Sequence, residues 1–489
     1  MNRSTLSLLA GVAALAAVTG FATLSPPDAA GQDTAGAAAL RPVERTGLLC
    51  PAPSTSELAE TAYTSFTPVT KGAGNDGTAA LAPAGRTEQH KADPVLEPEA
   101  PGTPVAGEVS GADAPALVGT AEGKFAPGWT VQETTEVAAG TGRGLLGVTC
   151  GTAGTEFWFP GAGTAADRTD YVHLTNPDDS AAVVDIELFG KDGQVKSAAG
   201  EGVTVKPHAS EAILLSTLSE VAQEDLTVHV GVRSGRVGAA VQALDDKVGG
   251  DWLASAADPA RGLVLPGIPK DAAAVRLVVF TPGDVDSDLK VQLASPSGLI
   301  TPAGHETVHV KAGMTTAVDL GDLTRGEAGS LVLTPTGGSS APVVAAARVV
   351  RGEGDGQETA FIPAADPVGT RATAVDNRAK GTTLSLSAPR GTAKVKVTAS
   401  AGSEGGTAAS KTVTVRGGTT QDVELPVTEG LKGTYALTVE PVSGGPVYAA
   451  RTLAVTKDGV FAFTVQTLPD DRGMVAVPRA DEDLSVLQK

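Results

Sequence analysis

Aromatic residues, cysteine and clustered positive charge are all scarce in this sequence of 489 residues. Phe, Trp and Tyr make up 3% of the chain, so its hydrophobic cores must be built from Val, Leu and Ala. The 37 Lys and Arg residues are scattered and outnumbered by 56 Asp and Glu residues, which gives a formal net charge of −19. Nucleic-acid binding needs clustered positive charge, as does electrostatic binding to anionic lipid, so the composition argues against both.

Glycine, proline and short alternating runs are abundant instead. The chain contains 60 Gly and 32 Pro, and hydrophobic residues make up 41% of it. Branched apolar residues alternate with Thr in many short runs, and few amphipathic helices are visible, which is typical of a turn-rich β protein. The chain is longer than one hydrophobic core usually organises, so we expect several domains.

Residues 1–27 predict export. Arg3 precedes a charge-free stretch from Ser4 to Pro27, which is typical of a signal peptide. Because no clear cleavage site follows and the apolar run is long enough to cross a bilayer, an N-terminal membrane anchor is an equal alternative. Either way the remainder is predicted to be extracytoplasmic, secreted or anchored to the outer face of the cytoplasmic membrane. Contact with a membrane is expected only through this segment, and residues 28–45 are expected to form a flexible stalk.

Two landmarks recur about every hundred residues. One is a strand with paired small residues, found in "SGRVGAAVQAL", "SSAPVVAAARVV", "SGGPVYAARTLAV" and, more weakly, "GTGRGLLGVTC". Each copy follows a strand-like run, and each such pair is predicted to form a hairpin. The small pairs are also predicted to let strands or domains approach closely. The second landmark is an apolar strand that ends in proline, at Pro51, Pro160, Pro266, Pro363 and Pro478.

The repeat predicts both fold class and domain boundaries. About seven short strands in each unit of roughly a hundred residues predict an all-β chain of tandem immunoglobulin- or fibronectin-like β-sandwiches. A β-propeller with two blades per repeat is the alternative, since the extra proline-ended strand would be able to close a ring. The predicted units are 46–155, with a disordered Pro-rich insertion at about 70–112, then 156–260, 261–357 and 358–489, the last carrying an extra C-terminal strand.

The segments "FWFPGAG", "YVHLTNPDDSAAVVDIELFGKDG" and "SGRVGAAVQ" together resemble a family of exported actinobacterial proteins of unknown function. The resemblance runs from Leu48 onward and is strongest from Phe157 to Leu244. One segment, "AVDNRAKG", departs from the pattern, because Asn377-Arg378 stands where Asn-Pro is expected. The resemblance implies an extracytoplasmic array of β-sandwiches, and it brings no catalytic residue to this chain.

Two short motifs resemble metal sites. "HETVH" (residues 305–309) matches the zinc-protease pattern, which works only on a helix, whereas here it aligns with strands of the sister repeats. "DVDSD" (residues 284–288) resembles the start of a calcium loop, but Leu289 and Ser295 stand where Gly and Glu are required. We therefore interpret the first as a strand and the second as a solvated turn, with a weak surface calcium site as the minor alternative. No catalytic residue, metal ligand or cofactor is predicted.

Two tryptophans, Trp158 and Trp252, lie at the edges of repeats. If exposed they would stack on sugar rings, but the preferred interpretation is that they seal the junctions between repeats. The histidines at 90, 173, 208 and 229 are dispersed, and nothing in the sequence points to a Ser-His-Asp triad.

Cys50 and Cys150 are the only cysteines of the chain, and we predict that they form a disulfide. The repeat alignment places Cys50 at the end of the opening strand of the first repeat and Cys150 at the end of its closing strand. First and last strands of a sandwich lie near each other, and thiols of an exported protein are oxidised.

The sequence therefore favours a non-enzymatic scaffold or interaction protein of the cell envelope, whose partner is an envelope protein or a glycan. Recognition of cell-wall polysaccharide is the first alternative, and an enzyme with a cryptic site is the second. An exposed aromatic platform would favour glycan binding, whereas acidic residues and histidines that converge in one cleft would favour an enzyme.

Overall fold

A computed structural model of the protein describes residues 38–85, 93–338, 340–457 and 460–478. The described part begins with β1 (Ala39–Pro42), whose partner in a two-stranded sheet is the last strand, β35 (Met474–Val477). All other strands belong to a second unit, residues 42–473, which contains four β-sandwich repeats. The helices of the structure are single 3-10 turns at Gly123–Phe125, Ala198–Gly200, Leu215–Thr217 and Gly354–Gly356.

The first repeat contains the fewest strands. They are β2 (Arg45–Cys50), β3 (Ala59–Phe66), β4 (Ala79–Pro83), β5 (Val105–Ser110), β6 (Leu117–Glu122), β7 (Thr130–Val137) and β8 (Gly144–Thr149). One sheet has the order β2-β6-β4 and the other β5-β3-β7-β8. Leu48, Tyr63, Leu81 and Val131 from both sheets meet in one core, as expected for two amphipathic sheets packed face to face.

The second repeat shows the complete pattern. Its strands are β9 (Glu156–Ala162), β10 (Arg168–Thr175), β11 (Ala182–Gly190), β12 (Gly193–Val195), β13 (Val203–Val205), β14 (Ser210–Leu214), β15 (Leu226–Ser234), β16 (Gly238–Asp245) and β17 (Gly249–Leu253). The sheets run β12-β11-β15-β9, with β13 also on β11, and β14-β10-β16-β17. In β11 every second residue is buried, which is the alternation the sequence predicts.

The third repeat has the same plan. Its strands are β18 (Leu263–Ile268), β19 (Ala272–Phe280), β20 (Ser287–Ser295), β21 (Gly298–Ile300), β22 (Thr307–Val310), β23 (Thr315–Gly321), β24 (Gly329–Pro335), β25 (Val344–Arg351) and β26 (Glu358–Pro363). The sheets run β18-β24-β20-β21, with β22 also on β20, and β23-β19-β25-β26.

The fourth repeat completes the set. Its strands are β27 (Ala372–Asn377), β28 (Thr382–Ala388), β29 (Ala393–Gly402), β30 (Ala409–Val415), β31 (Thr419–Val423), β32 (Tyr435–Gly444), β33 (Tyr448–Lys457) and β34 (Val460–Thr467). The sheets run β27-β32-β29-β30 and β31-β28-β33-β34. The predicted fold class, an all-β chain of sandwich-like repeats, is therefore confirmed.

The four repeats form a closed ring. Their last strands contact one another in a cycle, β8 with β17, β17 with β26, β26 with β34, and β34 with β8. Around this cycle the first strands of the second, third and fourth repeats pack on the next repeat, with β9 against β25, β18 against β33 and β27 against β7. A closed ring is the feature on which the propeller alternative depends, and the ring is present. However, the two sheets of each repeat enclose their own core, so the repeats of the ring are sandwiches. The strand that closes the ring is β34, and the proline-ended strand near residue 478 pairs with β1 instead.

Three of the four predicted hairpins are wrong. β15 and β16 lie in different sheets, as do β24 and β25, and β32 and β33. In each case the chain crosses from one sheet to the facing sheet, and the real hairpin joins the strand with small residues to the strand after it, as in β16 and β17. Both strands of a crossing have an apolar inward face, so alternation alone does not distinguish a turn within one sheet from a crossing between two.

The predicted boundary at 357/358 falls in the wrong place. The strand that ends at Pro363 is β26, which pairs with β25 and so belongs to the third repeat. The landmark proline lies within the first strand of a repeat at Pro160 and Pro266, and at the end of the last strand at Pro363. Proline is tolerated at strand ends and sheet edges in either role, so the landmark does not identify one topological position.

Two segments predicted to lack structure contain strands. In the predicted Pro-rich insertion, β4 pairs with β6 and β5 pairs with β3, while residues 86–92 lie outside the described residues. Pro83 ends β4 and Pro104 precedes β5, positions where a missing N–H costs no ladder hydrogen bond. In the predicted stalk, β1 is a short strand recognisable only from its distant partner β35. The predicted export segment at 1–27 lies outside the described residues.

Candidate functional site

The joints between repeats are built from small residues. In the first strand of the second and third repeats, Gly161 and Gly267 adopt positive φ angles of 108° and 84°. A Cβ built on Gly267 would lie 2.4 Å from Cβ of Ala450, which belongs to the paired alanines of β33. In the same way Ala346 of β25 joins the core of the second repeat. The prediction that small pairs permit close approach is confirmed, because backbone and Ala side chains pack directly across these joints.

The joint that closes the ring, between the fourth and first repeats, is polar. Asp376 occupies the position in β27 that Gly161 occupies in β9 and Gly267 in β18, at the same irregularity of strand pairing. It has a positive φ of 55° and is 1% exposed. Across the joint, β7 presents Gln132 and Thr134, whereas β25 and β33 present Ala346 and Ala450 at their joints. A strained backbone with a buried carboxylate replaces glycine here, and such local strain concentrates at functional sites.

A cleft of about 570 Å³ opens at this joint. One wall is a face of the sheet β5-β3-β7, on which Glu60 lies directly opposite Glu136, and Ala62 lies opposite both Thr134 and Glu108. The other wall comes from the fourth repeat and contains Asp376, Arg378 and Thr434. The volume falls within the range of small-molecule sites. We call this feature the closing cleft.

Negative charge dominates the closing cleft. Arg378 donates a hydrogen bond from Nη1 to Glu136 Oε1 at 3.0 Å, and its Nη2 lies 3.8 Å from Asp376 Oδ2. Behind Asp376, the fully buried Arg451 donates to the carbonyl oxygen of Val375 at 3.2 Å. Burial lowers the pKa of Arg451 to about 10, so its guanidinium is still protonated at neutral pH.

Several polar atoms of the closing cleft have no hydrogen-bond partner among the described residues. They are the hydroxyls of Thr64, Thr134 and Thr434 and the Oδ2 atom of Asp376. Thr64 and Thr134 are 0% and 1% exposed. A buried polar group without a partner is costly, and such groups in native structures mark water, ions or ligands that would satisfy them.

A second polar cluster lies where the last strands of the repeats meet. The buried carboxylate of Asp251 on β17 accepts hydrogen bonds from the backbone N–H of Gly147 at 2.9 Å and from the hydroxyl of Thr464 at 3.0 Å. The side chain of Gln466 donates to the carbonyl oxygen of Gly147 at 3.1 Å. Burial raises the pKa of the Asp251 carboxyl, and these hydrogen bonds oppose that rise. The cluster joins the first, second and fourth repeats and is closed to solvent, so its role is structural.

The first repeat also contains a buried carboxyl. Glu133 on β7 lies opposite Tyr63 on β3, and both are 0% exposed. Neither carboxyl oxygen of Glu133 nor the hydroxyl of Tyr63 has a partner in the part of the chain that the structure describes. Burial raises the pKa of Glu133 well above its usual range, because the core disfavours the charged form of the carboxyl.

The predicted disulfide between Cys50 and Cys150 is present. Their Cα atoms are 4.5 Å apart, and the adjacent residues Leu49 and Gly151 form a β-bridge. The bond joins the end of the opening strand β2 to the residue after the closing strand β8. It therefore ties the two ends of the first repeat together, as the repeat alignment predicted.

The two metal-like motifs meet in the third repeat. Residues 307–309 of the "HETVH" segment lie in β22, so the strand interpretation is confirmed and the helix required by the protease motif is not formed. β22 pairs with β20, which places His309 opposite Asp288. His309 Nδ1 lies 2.8 Å from Asp288 Oδ1, and Nε2 lies 3.5 Å from Asp286 Oδ2. Within the described ranges no group of three His, Cys, Asp or Glu side chains is arranged to hold a metal ion.

The tryptophans seal joints between repeats, as predicted. Trp158 packs with Phe280 and Val344 of the third repeat, and it stacks on His229 with ring centroids 3.9 Å apart. Trp252 packs in a cluster with Leu146 and other residues of the first repeat. Both are less than a tenth exposed, so neither offers a surface for stacking on sugars.

The fold and the closing cleft define a class: an all-β ring of four sandwiches with an acidic cleft at one joint. The chain belongs to a family of unknown function (DUF5719), which matches residues 105–426. That range includes the whole of the second and third repeats and four charged residues of the cleft, Glu108, Glu136, Asp376 and Arg378. A search of curated proteins found no match. Among the described residues no helix has the length and apolar character needed to span a bilayer.

The sequence did not predict the closing cleft, although one signal pointed to it. Asn377-Arg378 departs from the Asn-Pro pattern, which in the second repeat follows β10, the second strand. In the structure Asn377 ends β27, the first strand, and the residue next to it on each side lines the cleft. The departure therefore marks the site, although the alignment placed it at the wrong strand.

Proposed function

We propose that this protein is a non-enzymatic extracytoplasmic scaffold that engages a component of the cell envelope through its ring of sandwiches. The observation that carries this proposal is the closed cycle of contacts among β8, β17, β26 and β34, reinforced by Asp251. Polar groups that are buried at the ring's joints bind neighbouring repeats to one another. Such a ring holds its outer loops and edge strands in fixed positions, which suits the display of binding surfaces.

An extracytoplasmic location is supported by the disulfide in the first repeat, since such bonds persist in oxidising compartments. It is also supported by the predicted export segment. Among the alternatives, recognition of polysaccharide by an aromatic platform loses support, because Trp129, Trp158 and Trp252 are all buried. We therefore favour an envelope protein over a glycan as the partner.

The experiment compares the intact ring with a weakened one. The purified exported protein and the Asp251→Ala variant would each be immobilised and exposed to detergent extracts of the envelope and, separately, to a glycan array. A scaffold should retain a defined envelope protein that the weakened ring retains less well. Retention of a glycan without any protein would favour the polysaccharide alternative.

One observation favours a second candidate, an enzyme. Carboxylates from β3, β5, β7 and β27 gather at the closing cleft, and paired carboxylates are the groups that cleave glycosidic bonds. The protein and its Glu136→Gln variant would be assayed against a panel of chromogenic glycosides. Turnover that depends on Glu136 would replace the scaffold proposal with a hydrolase.

A further inference from the structure

We infer that the closing cleft binds a primary ammonium group carried on a short aliphatic chain. This inference deepens the proposed function and rests on it in one respect, namely that the cleft binds its ligand without chemical change. Its basis is the contrast between the closing joint and the other joints, together with the unpartnered buried atoms of the cleft.

The closing joint differs from the joints on β9 and β18 at one backbone position. At the joints on β9 and β18 the chain uses glycine, and side chains of the next repeat fill the space: Phe361 and Val278 beside Gly161, and Ala450 beside Gly267. At the closing joint Asp376 keeps a positive φ, which glycine would adopt without strain. The carboxylate is thus retained at a backbone position that disfavours it, and the joint remains open as a cleft.

The buried atoms of the cleft define the complementary ligand. Asp376 is 1% exposed, and its Oδ2 atom accepts no hydrogen bond from the described residues. The hydroxyls of Thr64 and Thr134 on the facing wall are equally buried and also lack partners. A carboxylate oxygen only accepts hydrogen bonds, and a hydroxyl can either accept or donate them, so a ligand with several donors would satisfy all three groups.

The net charge of the closing cleft narrows the choice of ligand further. Glu60, Glu108, Glu136 and Asp376 line the cleft, whereas Arg378 lines it and Arg451 lies buried behind it. Four carboxylates against two guanidiniums leave a negative site, which repels phosphates and carboxylates. Because the described carboxylates are spread over separate strands and form no metal-binding group, a divalent cation is not the matching ligand. An ammonium group is a compact cation with three donors.

The remaining lining suits an aliphatic chain. Ala62 and Ala106 line the cleft between the carboxylates, so methylene groups would contact apolar atoms while the ammonium group reaches the acidic end. The volume of about 570 Å³ accommodates an amine of this kind with room for bridging water.

The test measures binding of 1,5-diaminopentane to the purified, oxidised full-length protein by isothermal titration calorimetry at low salt. Pentane-1,5-diol and glutarate have similar length but are neutral and anionic. We expect the diamine to bind at least about tenfold more tightly than either, and its affinity to fall as salt is added. Nα-acetyl-lysine amide would be titrated in parallel. If it binds more tightly than the diamine, the ligand is an ammonium group carried by a peptide. If the diamine binds more tightly, the ligand is a free polyamine.

Two variants test whether the diamine binds in the closing cleft. Asp376→Asn removes the buried charge, and Asn tolerates a positive φ, so the fold should be retained. Glu136→Gln removes the carboxylate that is bound to Arg378. Each should weaken diamine binding about tenfold or more. The matched control is Glu440→Gln, which breaks an exposed ion pair with Lys396 of the same 3.0 Å length outside the cleft and should leave the affinity unchanged.

Four results would overturn the inference: no diamine binding, equal binding of the diol, tighter binding of Ca²⁺, or an equal loss in Glu440→Gln. If Asp376→Asn fails to fold, Glu136→Gln decides the outcome alone. Failure of the scaffold proposal is distinguishable, because a hydrolase would turn over a glycoside and the diamine would inhibit it. Conversely, absence of diamine binding would leave capture of an envelope protein by the ring unaffected.

Discussion

The hydrogen bond between Asp251 and Thr464 provides a direct test of ring closure. These residues lie in the second and fourth repeats, 213 positions apart in the sequence, and the carboxylate accepts from the hydroxyl at 3.0 Å. Both side chains are 0% exposed. The perturbation is a double-mutant cycle with Asp251→Ala, Thr464→Val and the combined variant. The cycle isolates the energy that the two side chains share across the ring.

The structure sets the expected magnitudes. Asp251→Ala leaves the N–H groups of Gly147 and Trp252 buried without their acceptor, and each costs about 1–3 kcal/mol. Removal of a desolvated carboxyl group offsets part of this loss, so we expect a net decrease of about 2–4 kcal/mol in the free energy of unfolding. Thr464→Val should cost about 1–2 kcal/mol. A hydrogen bond between two buried side chains predicts a coupling energy of about 1 kcal/mol.

Guanidinium unfolding of the four proteins, followed by far-UV circular dichroism with the disulfide intact, measures these energies. The control cycle combines Asp251→Ala with Glu440→Gln, which lies on an exposed strand position and should add within about 0.5 kcal/mol. A coupling energy below about 0.5 kcal/mol between Asp251 and Thr464 would show that the second and fourth repeats do not share this bond in solution. The closed ring would then be wrong.

Further predictions follow from other parts of the molecule. Reduction of the disulfide, whose cysteines are 100 residues apart, should destabilise the first repeat by up to about 4.7 kcal/mol, seen as faster amide exchange there than in later repeats. Burial raises the pKa of Glu358 to about 7. The stability that the protonated carboxyl contributes is therefore lost as the pH rises through 7. The free energy of unfolding should fall by up to about 3 kcal/mol between pH 5 and 8, and this fall should be smaller in Glu358→Gln. Gly267→Ala adds a Cβ that meets β33, whereas at Gly283 nothing lies within 4 Å of the added Cβ. Gly267→Ala should therefore lower the free energy of unfolding by about 1–3 kcal/mol more than Gly283→Ala does. Equal melting curves of the two variants would contradict the packing of Gly267 against β33. His305→Ala combined with His309→Ala should change stability by less than about 1 kcal/mol, and stoichiometric zinc lost in that variant would refute the strand interpretation.

The sequence by itself determined the features that depend on local periodicity or on residue size. Alternating Val, Leu and Thr in segments such as β11 predicted strands with one buried face, because side chains of a strand alternate between its two sides. The spacing of the repeat predicted sandwiches. The paired small residues predicted close joints, and the bond between Cys50 and Cys150 followed from their places at the two ends of one repeat.

Only the tertiary structure decided which strands are neighbours. A short link after β15 was predicted to turn back, yet it crosses to the facing sheet, because both routes bury the same apolar face. Likewise, the pairing of β1 with β35 joins segments more than four hundred residues apart, and neither segment carries a local signal for it. The closing cleft likewise depends on contacts between distant segments. Nothing in the sequence distinguishes Glu60, Glu136 and Asp376 from other strand or surface residues, and only ring closure brings the first and fourth repeats together around them. Local patterns record what each strand buries, whereas a site between repeats depends on long-range packing that no single segment encodes.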